Sequence, residues 1–329
     1  MKEVQYPNIL YHYASMEKAY SILKNNNIRL SDITKSNDVS EMSILFPGFF
    51  DEMLKSYDES NGFTNKFTYK LKYDRSALEL LISELREQIE KEFENGSIAT
   101  FALCLSENGD LLSQWRGYAD NGKGVSLGLN VEELSIFIGP SPMSWYKLIK
   151  VEYLSDDELK KWRCYAAGEL IWLINTILES INDGECSDEN FDETIYNTIY
   201  CNILWYIEDS IRFKSDGFEE EAEWRFYIKN ALNKMDLKTI YESKNGVLDE
   251  KKRNAAKQFV VDNIEFNATI NDIISYITFN FDKFNNNLIK DIKCGPNNRV
   301  REKDLELFLK KFGYENCNYS KSKITYSAR

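Results

Sequence analysis

The chain has 329 residues with 53 acidic and 41 basic side chains, a formal charge of −12. Its length allows about two domains, and 43% hydrophobic with 14% aromatic residues supports a packed core rather than disorder. A pI near 4.9 argues against non-specific binding to duplex nucleic acid or anionic lipid, both of which need a basic surface; a local basic pocket for a nucleotide stays open. The longest uncharged stretch of the central helices, Leu170 to Leu178, is far short of the roughly 20 apolar residues of a bilayer span. Met1 to Asn8 has no apolar signal core before Pro7, so the expectation is a soluble cytoplasmic protein with no membrane partner. The six cysteines form no Cys-x-x-Cys pair and His12 is the single histidine; neither a zinc site nor a disulfide framework is expected.

In chain order, Ile9 to Tyr13 reads as a strand, and Ser15 caps a helix over Met16 to Leu23 that stops at Asn25-Asn26-Asn27. Ile28 to Leu30 is extended. Ser36 or Asn37 starts a second helix, perturbed at Pro47-Gly48. Leu78, Leu81, Ile82, Leu85, Ile89 and Phe93 fall at helical spacing behind Asp74 or Ser76. Ile98 to Leu105 reads as a buried strand, Gly109 to Tyr118 as a short helix, Asp120 to Gly124 as a turn, and Val125 to Asn130 as a half-buried strand. Ser155-x-x-Glu158 is a capping box opening a long helix to Ile181, broken at Asp183-Gly184. A further helix runs from about Glu189 to Phe213. On the next strand Trp224, Phe226 and Ile228 face one way and Glu223, Arg225 and Tyr227 the other. Strands near Leu237 to Glu242, Ser275 to Phe281 and Leu288 to Lys293, a helix over Arg301 to Phe312 and a last strand at Lys323 to Tyr326 complete the pattern. Strands and helices do not alternate as βαβ units, so the class is α+β: one domain over 1–329 with an all-α insertion subdomain at about 155–213.

Phosphate-loop and Rossmann signatures are absent, and Gly122-Lys123-Gly124 precedes a strand rather than a helix, as a hairpin turn does. A Ser-His-Asp triad has only His12 to draw on. What stands out is polar chemistry set in apolar surroundings. His12 lies inside Leu10-Tyr11-His12-Tyr13, where a satisfied structural histidine is the plainer explanation. Gln114-Trp115-Arg116-Gly117-Tyr118 groups an amide, a stacking surface and a fixed cation, or else a surface arginine packed on an aromatic. Asn37-Asp38 with Glu41 suits a helix N-terminus. Glu219-Glu220-Glu221 reads as a solvated charge run. Glu223 shares a strand face with Arg225, which would hold it ionised.

Taken together, these pieces resemble the bacterial family known as domain of unknown function 2971. The resemblance runs over most of the chain: Leu10 to Ser15, Ile22-Leu23, Ile28 to Ser31, Asn37-Asp38-x-x-Glu41, Leu105-Ser106, Leu112 to Ala119, Gly122 to Gly128, Glu221-x-Glu223-Trp224-Arg225, Gly295 to Asn298 and Ser322-Lys323-Ile324-x-Tyr326. Val39, Cys104 and the Thr325-Tyr326-Ser327 tail depart from the family pattern, and the helical insertion is its least family-like part. More distantly, the motif order resembles ADP-ribosyltransferase-like folds with an early histidine, a middle tyrosine and a late glutamate. That resemblance implies a split, bent β-sheet core and a function in cleaving NAD and transferring ADP-ribose to an unknown macromolecular acceptor, in a toxin or phage-defence setting. The rival expectations are a non-enzymatic nucleotide sensor and an NAD glycohydrolase. The implied catalytic residues are Glu223, His12 and Tyr118, with Tyr13 as the alternative tyrosine. Tyr13, Ser31, Asn37, Gln114, Trp115, Arg116 and Arg225 are the implied NAD-binding residues, Arg116 for the pyrophosphate; no metal is implied.

Overall fold

A computed structural model of the chain describes residues 5–36, 42–60, 62, 74–95, 98, 100–138, 146–182, 191–228, 264–268, 272–282 and 287–327. The first strand, β1 (Ile9–Ala14), feeds α1 (Met16–Asn25), whose N-cap Ser15 accepts a hydrogen bond from the Lys18 amide. Asn26, left-handed at φ 50°, ends that helix and turns the chain into β2 (Asn27–Asp32). Next come α2 (Phe49–Glu59), α3 (Arg75–Glu94), β3 (Phe101–Ser106), α4 (Leu112–Gly117), β4 (Val125–Asn130) and α5 (Val131–Ser135). The chain continues through β5 (Tyr146–Lys150), β6 (Glu152–Leu154), α6 (Asp156–Asn182), α7 (Phe191–Asp209), β7 (Phe213–Ser215), a 3-10 turn over Asp216–Glu221, and β8 (Glu223–Ile228). It closes with β9 (Ile264–Ala268), β10 (Ile273–Asn280), β11 (Ile289–Cys294), α8 (Glu302–Lys311) and β12 (Asn318–Lys321).

The class is mixed α+β, built on a ten-stranded sheet in the order β12-β11-β4-β1-β3-β2-β10-β9, with β8 and β5 branching from β3. The branch is the feature that makes a site. Along one edge, β3 pairs with β8 over its whole length, from Phe101↔Ile228 to Ser106↔Glu223. Its other edge is shared: β2 takes Phe101 and Ala102, and β1 takes Ser106. Between those two contacts, at Leu103 to Leu105, the sheet parts. A backbone edge left open this way needs partners from elsewhere, and a side chain of β1 supplies one, as described below.

Two apolar clusters flank the sheet. Leu103, Leu105, Trp224, Phe226 and Ile228 belong to the larger, with Leu127, Leu129 and residues of α1 and α8. Ala102 and Tyr227 belong to the second, which gathers α2, α3, α6 and α7. The side-chain alternation expected for β8 is therefore present, with both faces buried. The two long helices after the Ser155–Glu158 capping box, which is formed as expected, pack against α2 and α3 in this second cluster.

Several expectations need correction. No helix is perturbed at Pro47-Gly48: Gly48, at φ 79°, is the N-cap from which α2 starts. β4 is buried on both faces rather than half-buried: Val125, Leu127 and Leu129 join the larger cluster on one, and on the other Ser126 is fully enclosed and the Ile9, Tyr11 and Asp291 side chains crowd Gly128. The last strand is Asn318–Lys321, upstream of the expected Lys323–Tyr326; it adds in parallel to β11, and the Ser322-Lys323 step is tied down by Asp110 instead. Strands β5, β6, β7 and β9 carried no sequence expectation. The expected strand at Leu237 to Glu242, the break at Asp183-Gly184, and Asn37, Asp38 and Glu41 lie outside the described residues.

Candidate functional site

A cleft of about 370 Å³ opens where the sheet parts; His12, Tyr13, Lys18, Ser31, Asp32, Cys104, Gln114, Tyr118, Lys214, Phe218, Glu221 and Glu223 are among its lining residues. Its size is at the lower end of the ~300–1,000 Å³ typical of ligand pockets. A larger groove of about 900 Å³, bounded by α2 and α3, shares Asp32 and Lys35 with it but contains none of the titratable cluster described next.

His12 bridges the open edge of β3. Its Nδ1 lies 3.1 Å from the Cys104 carbonyl oxygen. A carbonyl only accepts, so Nδ1 carries the proton. Burial pushes the imidazole from 6.5 down to about 4; the Cys104 carbonyl opposes that shift and the charge of Lys18 adds to it. At neutral pH the ring is uncharged, and Nε2 is left as a bare acceptor.

Across the cleft, the end of the 3-10 turn and the start of β8 place two carboxylates together. Ala222 between them is left-handed at φ 44°, a conformation uncommon for a residue with a Cβ. This kink lets Glu221 and Glu223 meet one ammonium: Lys214, itself buried, donates to Glu221 Oε2 at 2.7 Å and to Glu223 Oε2 at 3.1 Å. Arg225, fully buried, donates through Nε to Glu223 Oε1 at 2.9 Å and through a terminal nitrogen to Oε2 at 3.3 Å, and it also reaches the Ile211 carbonyl at 2.6 Å. Burial alone would push the Glu223 carboxyl up. The charges of Arg225 and Lys214 and a hydrogen bond from the Cys104 thiol outweigh it and hold the group below the usual carboxylate range. The Glu223 amide donates to the Tyr153 hydroxyl at 2.7 Å, so backbone and side chain are both fixed. Two acids facing two bases make the cluster neutral, the condition under which buried charges persist.

The Gln114 to Tyr118 motif divides by helical geometry. Gln114 and Tyr118 are one turn apart and both line the cleft. Tyr118, 42% exposed as a residue, donates its hydroxyl to Glu221 at 3.3 Å; burial, then the Glu221 charge, raises that phenol well above the usual tyrosine range, so it stays a donor. Trp115 points away into a small cluster, its ring edge-on to Tyr13 at 4.8 Å and its indole N–H on Asp110 at 2.8 Å. Arg116 is exposed and is not among the lining residues. The expectation that it shares a cleft with His12 and Glu223 is corrected: two positions beyond Gln114 on a helix is the opposite face. Tyr13 lines the cleft, but its hydroxyl is spent, donating to the Asn108 carbonyl at 2.8 Å and accepting from the Leu111 amide at 2.9 Å. Of the two tyrosines, Tyr118 is the one whose hydroxyl points to the glutamate pair. Ser31 also lines the cleft, whereas Arg225 is fully buried behind Glu223 and does not line it.

Lys214 and Lys18 escaped the sequence reading, and Glu221 and Cys104 stood in it only as motif or run members without an assigned site role. Glu221 is buried, not part of a solvated run; its signal was the two-residue spacing to Glu223. Lys214 was an isolated lysine beside a core phenylalanine, and Cys104 and Lys18 carried no signal apart from their neighbours. Among the described residues no group of three histidine, cysteine or acidic side chains is placed to hold a metal ion, and no helix is long and apolar enough to cross a membrane.

No curated protein and no solved structure matches the chain significantly. Residues 114–226 do match the model of the family described as "Protein of unknown function (DUF2971)", a stretch that opens on the cleft amide Gln114 and takes in Tyr118, Lys214, Glu221, Glu223 and Arg225.

Proposed function

We propose that the chain binds NAD in the cleft, cleaves it at the nicotinamide–ribose bond and passes ADP-ribose to a macromolecular acceptor. The observation that carries this reading is the parting of the sheet at β3, with a neutral His12 on one lip and the ionised Glu223 on the other, joined through Cys104. In this reading the ADP-ribosyltransferase-like split sheet is the scaffold that holds the two lips of the cleft. His12 Nε2 accepts from a ribose hydroxyl. The Tyr118 ring offers a face for the nicotinamide. As the C–N bond breaks, its electron pair leaves with neutral nicotinamide and positive charge grows on the sugar. A preorganised carboxylate acts where that charge develops.

One observation favours a second reading. An ionised carboxylate has about four acceptor positions, and Glu223 uses them on Arg225, Lys214 and Cys104. A glutamate so engaged suits a nucleotide sensor that binds without turnover. Incubation with NAD labelled in the adenylate part separates the readings. Label on a macromolecule supports transfer, free ADP-ribose means a glycohydrolase, and bound but intact NAD means a sensor. If the parent releases nicotinamide, Glu223→Gln is expected to slow it by about a hundred- to thousandfold with little change in NAD affinity. An unchanged rate removes Glu223 from catalysis and moves the role to Glu221.

A further inference from the structure

Protein donors take up the whole of the Glu223 carboxylate, which has about four acceptor positions. Arg225 donates through Nε to Oε1 at 2.9 Å and through a terminal nitrogen to Oε2 at 3.3 Å, and Lys214 donates to Oε2 at 3.1 Å. The Cys104 thiol is the remaining donor. Strand register puts it there. Cys104 pairs with Arg225 across β3 and β8, so Glu223, two residues back along β8, shares its face as a diagonal neighbour.

These contacts are unequal. The Arg225 side chain is fully enclosed and that of Lys214 is 3% exposed. Each is also tied elsewhere, Arg225 to the Ile211 carbonyl and Lys214 to Glu221, so neither swings away without opening the core. Cys104 is exposed and lines the cleft together with Glu223. Its thiol leaves by rotation about a single torsion, with no movement of the backbone. A thiol is also a weak donor, whereas a hydroxyl on a carboxylate makes a short, charge-assisted bond. A ligand hydroxyl therefore exchanges with the thiol at a gain and can exchange with neither cation.

We propose that the Cys104 thiol is a displaceable cap on Glu223: it fills the acceptor position that opens on the cleft, and a ligand hydroxyl reaches the carboxylate by replacing it. The proposal deepens the NAD reading above and rests on it for the identity of the ligand, whose nicotinamide ribose supplies the hydroxyl. Cys104 is then a positioning residue rather than a catalytic one. Arg225 and Lys214 hold the carboxylate still while the cap comes off, so a glutamate fully engaged in the free protein can still serve a ligand.

The test uses the full chain, titrated by calorimetry with ADP-ribose, ADP and D-ribose, in the parent, Cys104→Ala and Cys104→Ser, with thermal melts confirming that all three fold. Alanine removes the cap, and serine replaces it with a stronger donor. ADP-ribose affinity is expected to rise about fivefold in Cys104→Ala and to fall about fivefold in Cys104→Ser, the scale of one net hydrogen bond. ADP, which lacks the second ribose, keeps its parent affinity in both. A thiol that merely holds Glu223 in place gives the reverse order: alanine weakens ADP-ribose binding and serine restores it, and that result overturns the cap. If ADP-ribose binds all three proteins alike, the cap is overturned and the NAD reading stands. If D-ribose binds in the order alanine, cysteine, serine but ADP-ribose does not bind, the cap stands and the NAD reading falls. If neither binds the parent, both are overturned.

Discussion

On one side of β1 lies the cleft; on the other, the loop after α4 meets the loop after β11. In that second region the Gly295 amide donates to the Gly124 carbonyl at 3.0 Å and the Asn297 amide to Gly122 at 2.9 Å, while the Asn298 side chain donates to the carbonyls of Lys123 and Gly124 at 2.8 and 3.0 Å. Asp110 accepts from the Trp115 indole at 2.8 Å, the Ser322 hydroxyl at 2.5 Å and the Lys323 amide at 2.8 Å. A Cβ on Gly124 would lie 2.1 Å from the Ala14 carbonyl oxygen, so close approach of backbones explains that glycine. Both regions are rich in motif residues. In the clasp these polar groups are used by the protein itself, whereas in the cleft His12 Nε2, the Gln114 amide and the Lys18 ammonium have no hydrogen-bonded or ion-pair partner among the described residues. Polar groups satisfied internally build scaffold, and those held ready but unmatched mark where a ligand goes.

Four substitutions test the contrast between cleft and clasp. The largest effect is expected for Lys214→Met, which leaves two buried carboxylates short of a partner. Removing one member of a buried ion cluster costs about 3–5 kcal/mol, readable as a shift of the urea midpoint; a cost below about 1 kcal/mol would mean that water reaches the cluster. Next is Asp110→Ala in the clasp, expected to cost about 2–3 kcal/mol for hydrogen bonds to a charged acceptor while leaving ADP-ribose affinity as in the parent. A loss of affinity at constant stability would erase the distinction between the two regions.

The third concerns pH. The unfolded chain protonates His12 near 6.5, and the folded chain resists until about 4. The unfolded state therefore binds the extra proton over that window, and stability falls as pH falls through it. Glu223, held below its ordinary 4.5, stays ionised from pH 7 to 5. Denaturant melts at those two pH values should show a larger stability loss in the parent than in His12→Gln, and equal losses would mean that the ring is open to solvent. The smallest effect is expected for Ala222→Gly. It relieves the left-handed strain but adds chain entropy to the unfolded state, a net change within about 1 kcal/mol; if turnover is detected, a fall in its rate would tie the fixed kink to the geometry of the two glutamates.

Much of the local architecture was legible because local rules decide it. Asp74 caps α3 through the Ser76 and Ala77 amides, Ser155 and Glu158 close their box, and the alternation of Trp224, Phe226 and Ile228 against Glu223, Arg225 and Tyr227 assigns the faces of β8. The Glu223–Arg225 pair was legible for the same reason, since residues two apart on a strand share a face. Arg116 was misplaced because a cation beside an aromatic reads the same on either side of a helix, and the face of a six-residue helix is set by what it packs on. Glu221 was read as solvated from its two exposed neighbours, although the kink at Ala222 turns it inward.

Local pattern in the amino-acid sequence was enough for strands β1, β3, β4, β8, β10 and β11, the capped helices, the acidic and aromatic character, and the setting of His12 and Glu223 among apolar neighbours, because periodicity, capping and burial preference act over a few residues. Tertiary contacts settle the rest: β3 parts its neighbours, Lys214 joins Glu221 to Glu223, and Lys18 and Gln114 line the cleft with no side-chain partner among the described residues, whereas Arg116 does not line it. Those outcomes depend on contacts between elements distant along the chain, such as Cys104 with His12 and with Glu223, whose register and angles no local pattern encodes.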